Sequence, residues 1–152
     1  MKKFGCYLVV VILLFGMVFG QVNATEITNT EEIIYLENGD YIAVELVVID
    51  SRATSTKTGK KSYIYKNSNG TEEWRATLSG TFAYTGTTAT CTASSCTTSV
   101  SDSAWYEISK SAGKSGSSAT GEVTMGEKFL GITINRESIS IKLTCSATGT
   151  LS

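Results

Sequence analysis

The sequence predicts an all-β fold: an antiparallel β-sandwich or partly open barrel of about eight strands. Three observations lead there. Short runs alternating apolar and polar residues recur at regular spacing between Gly, Asn and Ser turn signals. No convincing helical period appears among them. Ser and Thr make up roughly a third of residues 25–152, and threonine suits the solvent face of a strand.

The chain opens with Lys2 and Lys3, an apolar run from Phe4 to Phe19, and the polar Gly20-Gln21. Val22-Asn23-Ala24 fits the small-x-small rule, so residues 1–24 are expected to be a signal peptide cleaved after Ala24. The run is shorter than the roughly 20 residues that span a bilayer. Cys6 precedes it and carries no lipidation signal. The whole chain has a net charge of −1, and losing Lys2 and Lys3 makes the remainder more acidic. That balance argues against nucleic acid or an anionic membrane as the main partner. With no second apolar run and no proline for an LPxTG-type sorting signal, a secreted protein with no membrane association after cleavage is expected.

Residues 25–40 read as an N-terminal arm, polar and acidic, with one apolar cluster at Ile33-Ile34-Tyr35-Leu36. The sandwich domain then spans 41–152. Tyr41 to Asp50 is the first strong strand, with Ile42, Val44, Leu46 and Val48 on one face. Ser51 to Lys61 carries Arg52, Lys57, Lys60 and Lys61 and reads as an exposed loop or the start of an edge strand. Ser62–Lys66 and Thr71–Thr77 flank Asn67-Ser68-Asn69-Gly70, the clearest hairpin signal, and Tyr63, Tyr65 and Trp74 fall on one face of it. Leu78 to Tyr84 continues the second arm, with Gly80 a bulge or close approach. Thr87–Ala93, Thr97–Ser101, Ala104–Ser111, Thr120–Leu130 and Ile132–Ala147 complete the set. Ser111 to Ser118 reads as a flexible glycine-serine loop.

Three cysteines lie beyond the leader: Cys91, Cys96 and Cys145. Export favours a disulfide. Strand parity puts Cys91 and Cys145 toward the core and Cys96 in a turn, which favours Cys91–Cys145. The alternative is Cys91–Cys96 across a tight hairpin. Cys96 is left free or pairs between chains. Three cysteines without two close pairs, in a chain lacking histidine, do not suggest zinc, and no metal or cofactor is expected.

Absence of histidine also removes Ser-His and Cys-His chemistry. Gly113-Lys114-Ser115 resembles the end of a phosphate loop, but the pattern needs glycine where Ile108 stands. Ser111-x-x-Lys114, Ser101-Asp102-Ser103 and Lys57-Thr58-Gly59 echo the penicillin-handling serine enzymes, in reversed order and without a helix for the lysine. The carboxylates Glu45, Glu72, Glu73, Asp102, Glu107 and Glu122 are scattered along the chain and give no recognisable glycosidase pair. A non-enzymatic protein is expected. Its candidate ligand-binding residues are the aromatics Tyr63, Tyr65, Trp74, Trp105 and Tyr106, as a platform for sugar or peptide, with core packing as the alternative role of the same rings.

The segments DSRATSTKTGKKSYIYKNSNGTEEWRATLSGTFAYTGTTATCTASS and SAWYEISKSAGKSGSSATGEVTM resemble a group of small secreted proteins of Gram-positive, clostridia-like bacteria. The resemblance covers nearly all of 25–152. It implies export, β architecture and the Cys91–Cys145 pairing, and implies no activity. The leading expectation is a secreted, non-enzymatic β-sandwich that binds a cell-wall glycan or surface protein at or near the cell surface. A secreted antagonist or bacteriocin-like effector, and a small hydrolase acting on wall glycans, are the alternatives.

Overall fold

A computed structural model describes residues 25–50 and 55–152. The predicted signal peptide, its cleavage point at Ala24 and residues 51–54 lie outside the described residues. The described chain is all-β, with eight antiparallel strands: β1 (Thr25–Tyr35), β2 (Tyr41–Asp50), β3 (Thr56–Lys66), β4 (Glu72–Tyr84), β5 (Ala89–Val100), β6 (Trp105–Ser115), β7 (Ser118–Phe129) and β8 (Ile132–Thr144). β1 to β5 form one meander sheet and β6 to β8 another. The two sheets face each other as a sandwich and do not close into a barrel.

Alternation makes the core. Ile42 and Val44 on β2, Tyr65 on β3, and Trp74, Ala76, Leu78 and Phe82 on β4 face inward from the larger sheet. Ala119, Val123 and Met125 on β7 and Ile141 and Leu143 on β8 meet them from the smaller one. The sheets pack tightly at Gly59 and Gly80, directly paired across β3 and β4. A Cβ on Gly59 would stand 2.5 Å from Leu151 Cδ1, and one on Gly80 would stand 3.0 Å from the Ala119 Cβ. Gly80 is therefore a close approach. The bulge lies just beyond it, at Thr81/Phe82.

Several boundaries differ from expectation for physical reasons. The expected arm is mostly strand β1, paired with β2 from Thr25↔Asp50 to Tyr35↔Tyr41. Edge-strand hydrogen bonds to β2 hold it despite its polar composition. β3 begins at Thr56, within the stretch expected to be an exposed loop or the start of an edge strand, and it lies between β2 and β4 and not at an edge. β5 runs unbroken through Ser94-Ser95-Cys96, so Cys96 sits mid-strand opposite Leu78 and not in a turn. The glycine-serine stretch is strand up to Ser115, closed by a tight turn at Gly116-Ser117. After β8 the chain folds back: Cys145 bridges to Leu151, and Leu151 is buried over Gly59.

One end of the sandwich carries the turns around 36–40, 67–70, 101–104 and 130–131. The other carries the turns around 85–88, 116–117 and 145–149. Trp105 ties the first end together. Its indole Nε1 donates to Glu73 Oε2 at 2.7 Å, and the Ser101 and Asp102 amides donate to the Glu73 carbonyl at 2.8 and 3.0 Å.

Candidate functional site

The predicted aromatic platform does not form. Tyr65, Trp74 and Trp105 are buried at 1, 0 and 5% exposure, with centroids 5.0 to 5.8 Å apart. The Tyr65 and Trp74 rings stack at 17°. This is the packing role of the same residues: large apolar rings are worth more in a core than on a surface. Tyr63 shares their face and is half-buried, its hydroxyl pKa raised by burial and then by Glu32. Tyr106 is on the far face of the smaller sheet, with its hydroxyl 2.6 Å from Thr133 Oγ1 and Lys128 Nζ 4.3 Å from its ring centre. These five rings share no surface.

Cys91 and Cys145 are brought together, one from each sheet. The Cys91 amide donates to Gly116 O at 2.7 Å and the Cys145 amide to Ser117 O at 2.9 Å, so adjacent residues of one turn hold both. Both side chains are buried core members. Burial pushes both thiols up, and a Cys91 thiolate raises Cys145 further while Lys57 opposes it. All three cysteines are thiols in this structure, so the expected bridge is not formed in it.

Of the candidate carboxylates, Glu45, Glu72, Glu73, Asp102 and Glu107 are held by partners, and exposed Glu122 is not brought to any of them. Arg75 donates through Nε and Nη2 to the two oxygens of Glu72 at 3.1 and 2.9 Å, and through Nη1 to Glu45 at 3.1 Å. The Glu72 carboxyl is held below its ordinary range, chiefly by the Arg75 hydrogen bonds. Glu73 receives Trp105 and Asn67. Glu107 bonds Thr98 and Lys110 and is held low, first by Thr98. Asp102 receives the Ala104 amide. Lys114 and Ser111, three apart on β6, project to opposite faces, and Lys114 Nζ donates to Thr92 O.

A concave surface among the described residues lies elsewhere. On the outer face of the larger sheet a groove of about 500 Å³ is lined by Glu45, Val47, Lys60, Ser62, Arg75, Thr77, Ser79, Ser95 and Thr97. Two cross-strand rows build it. Glu45, Ser62, Thr77 and Thr97 are aligned across β2 to β5, as are Val47, Lys60, Ser79 and Ser95. Pleating turns alternate residues of each strand to this face, so one register fixes both rows. Ser62 Oγ and Thr77 Oγ1 are 2.9 Å apart, which orders the centre. Five hydroxyls that both donate and accept line the groove beside Arg75 and Glu45, which are paired with each other at its margin.

Sequence reasoning missed this groove. Its signal is the run of Ser and Thr at every second position of β4 and β5, readable only once the register is known. No protein-family model, curated protein or solved structure matches the chain.

Proposed function

We propose that this is an exported, non-enzymatic binding protein whose β2–β5 groove takes a polyhydroxylated chain of the cell-wall glycan class at or near the cell surface. The observation that carries the reading is the double row of hydroxyls, with Arg75 and Glu45 at its margin. Hydroxyl arrays match sugar hydroxyls as donor and acceptor alike, and Arg75, held in place by Glu72 and Glu45, bounds the array. Glu72 is held ionised by Arg75, which favours recognition over proton donation. In the oxidising compartment we further propose a Cys91–Cys145 disulfide, two thiols giving up two protons and two electrons to the export machinery's oxidant.

Retention of the mature protein on insoluble peptidoglycan tests the binding. Wild type is expected to sediment with the wall material, and Thr77→Val with Ser95→Ala to stay in solution. Failure of wild type to sediment overturns the reading. Release of reducing sugar, abolished by Glu45→Gln or Glu72→Gln, replaces it with the hydrolase.

A further inference from the structure

The larger sheet has five strands and the smaller three. β6 to β8 lie against β3, β4 and β5, and among the described residues no Cα of β1 or β2 comes within 8 Å of them. β1 and β2 therefore overhang. Ile42 and Val44 still reach the core, but Leu46 and Val48 on the same face are only half-buried, and so is Tyr63 beside them. Ile34, paired with Ile42 on that face, is 39% exposed.

Two strand edges lie open on this side. β1 has a partner only in β2. β8 pairs with β7 and, at its far end, with the returning chain at Leu151 and Ser152. Thr144 and Ser152 exchange both backbone bonds. By alternation Arg136, Ser138, Ser140 and Lys142 turn their N–H and C=O groups to the same free edge. The open stretch from Ile132 to Lys142 matches the 11 residues of β1. Long unpaired edges of this kind are templates for a further strand.

The two edges differ in charge. β1 carries Glu26, Glu31 and Glu32 and no Lys or Arg. The outer row of β8 carries Arg136 and Lys142. Glu137, the one acid of β8, sits at the first end beside the 36–38 turn. On the inner face Lys61 stands in register between Leu46 and Leu78, and Glu32 stands opposite Val44. Neither Lys61 nor Glu32 has an ion-pair or hydrogen-bond partner among the described residues.

We propose that the overhang is covered by a second copy of this chain, related by a twofold axis parallel to the strands. β1 runs toward the first end and β8 away from it, so the two are antiparallel. Such an axis keeps strand direction and exchanges the two layers. Each β8 then pairs with β1 of the other copy, acid against cation. Two continuous antiparallel sheets result, each with five strands of one copy and three of the other. β1 of each copy lies over β2 of the other, which buries Ile34, Leu46 and Val48 and brings Glu32 of one copy to Lys61 of the other. A twofold perpendicular to the sheets would instead join β1 to β1 and β8 to β8, like charge to like, and leave both overhangs bare. Like charges across a seam disfavour it. The glycan groove is on the outer face, so the dimer stands or falls without it.

Sedimentation velocity of the mature protein over a range of concentrations is expected to show a dimer. Ser140→Pro removes an N–H that faces the free edge, which an edge strand tolerates. It should leave the thermal unfolding of the monomer intact and raise the dimer dissociation constant about a hundredfold, because both seams lose a bond. Arg136→Glu with Lys142→Glu should be monomeric, and so should Glu26→Lys with Glu31→Lys. An equimolar mixture of these two variants should dimerise, a recovery that misfolded chains could not give. Lys61→Glu, two strands from the edge of its sheet, should abolish the dimer, and adding Glu32→Lys to the same chain should restore it. A wild type monomeric at every concentration overturns the proposal, as does a mixture that stays monomeric. So does a dimer indifferent to Ser140→Pro or Lys61→Glu, since its copies are then joined elsewhere.

Discussion

Glu73 on β4 accepts the indole N–H of Trp105 on β6 at 2.7 Å, across the seam where the chain passes from one sheet to the other. The other oxygen of the same carboxylate receives Asn67 Nδ2 at 3.2 Å. One side chain thus fixes the β3–β4 turn and the first residue of the second sheet. Glu73→Ala strands a buried donor and is expected to cost about 1–3 kcal/mol in denaturant unfolding. In a double-mutant cycle with Trp105→Phe the two losses should fall short of adding. Additive losses would mean that the bond does not couple the sheets.

At the opposite end the proposed Cys91–Cys145 disulfide would do the same work. Peptide mapping, without reductant, of protein produced through an oxidising export route should recover both cysteines linked, with Cys96 alkylatable after unfolding. Reduction should then lower stability by about 4 kcal/mol in the chain-entropy account of cross-links. Cys91→Ala with Cys145→Ala should be insensitive to reductant. A Cys91–Cys96 linkage would contradict the pairing.

Leu151 fills the space that Gly59 leaves. Leu151→Ala is expected to cost about 2–5 kcal/mol through lost burial and a cavity. Gly59→Ala pushes a methyl to within 2.5 Å of Leu151 Cδ1 and should cost about 1–3 kcal/mol. Combined, the double variant should be more stable than the sum of the two losses predicts, because truncating Leu151 makes room for the new methyl.

Glu137 gives a pH test with a definite sign. Burial first, then Asp40, raises its folded pKa above the unfolded value. The folded state then holds this proton more tightly, so ionisation opposes folding and the penalty is full at neutral pH. Glu137→Gln should stabilise the protein by about half a kcal/mol near neutrality. The gain should vanish as pH falls below the ordinary carboxylate range. A gain equal at both pH values would remove the titration account.

The strands that alternate cleanly were readable. β2 and β8 carry their apolar sets at every second residue, and Tyr63, Tyr65 and Trp74 do share one face as parity requires. β5 was only half readable because its inward positions are Cys91, Ser94, Cys96 and Thr98, which carry little apolar signal. A bulge at Thr92 also puts Ala93 on the opposite face from Cys91, which parity counted together. β1 is held by backbone pairing, which composition does not report. The aromatics were found as residues and misplaced as a surface, since a cross-strand ring pair looks alike from either side of a sheet. The groove was invisible because its members come from four strands and are ordinary solvent-face residues in each.

Mapping the ligand contact on the folded protein bears most directly on the claim that this sandwich works by binding on its outer face. Backbone amide spectra of the mature protein, titrated with soluble peptidoglycan fragments, should shift at Ser62, Arg75, Thr77, Ser79 and Ser95. The buried row at Val123, Ile141 and Leu143 should stay still. Spectra that do not move, or that move only at residues outside the β2–β5 groove, would contradict it.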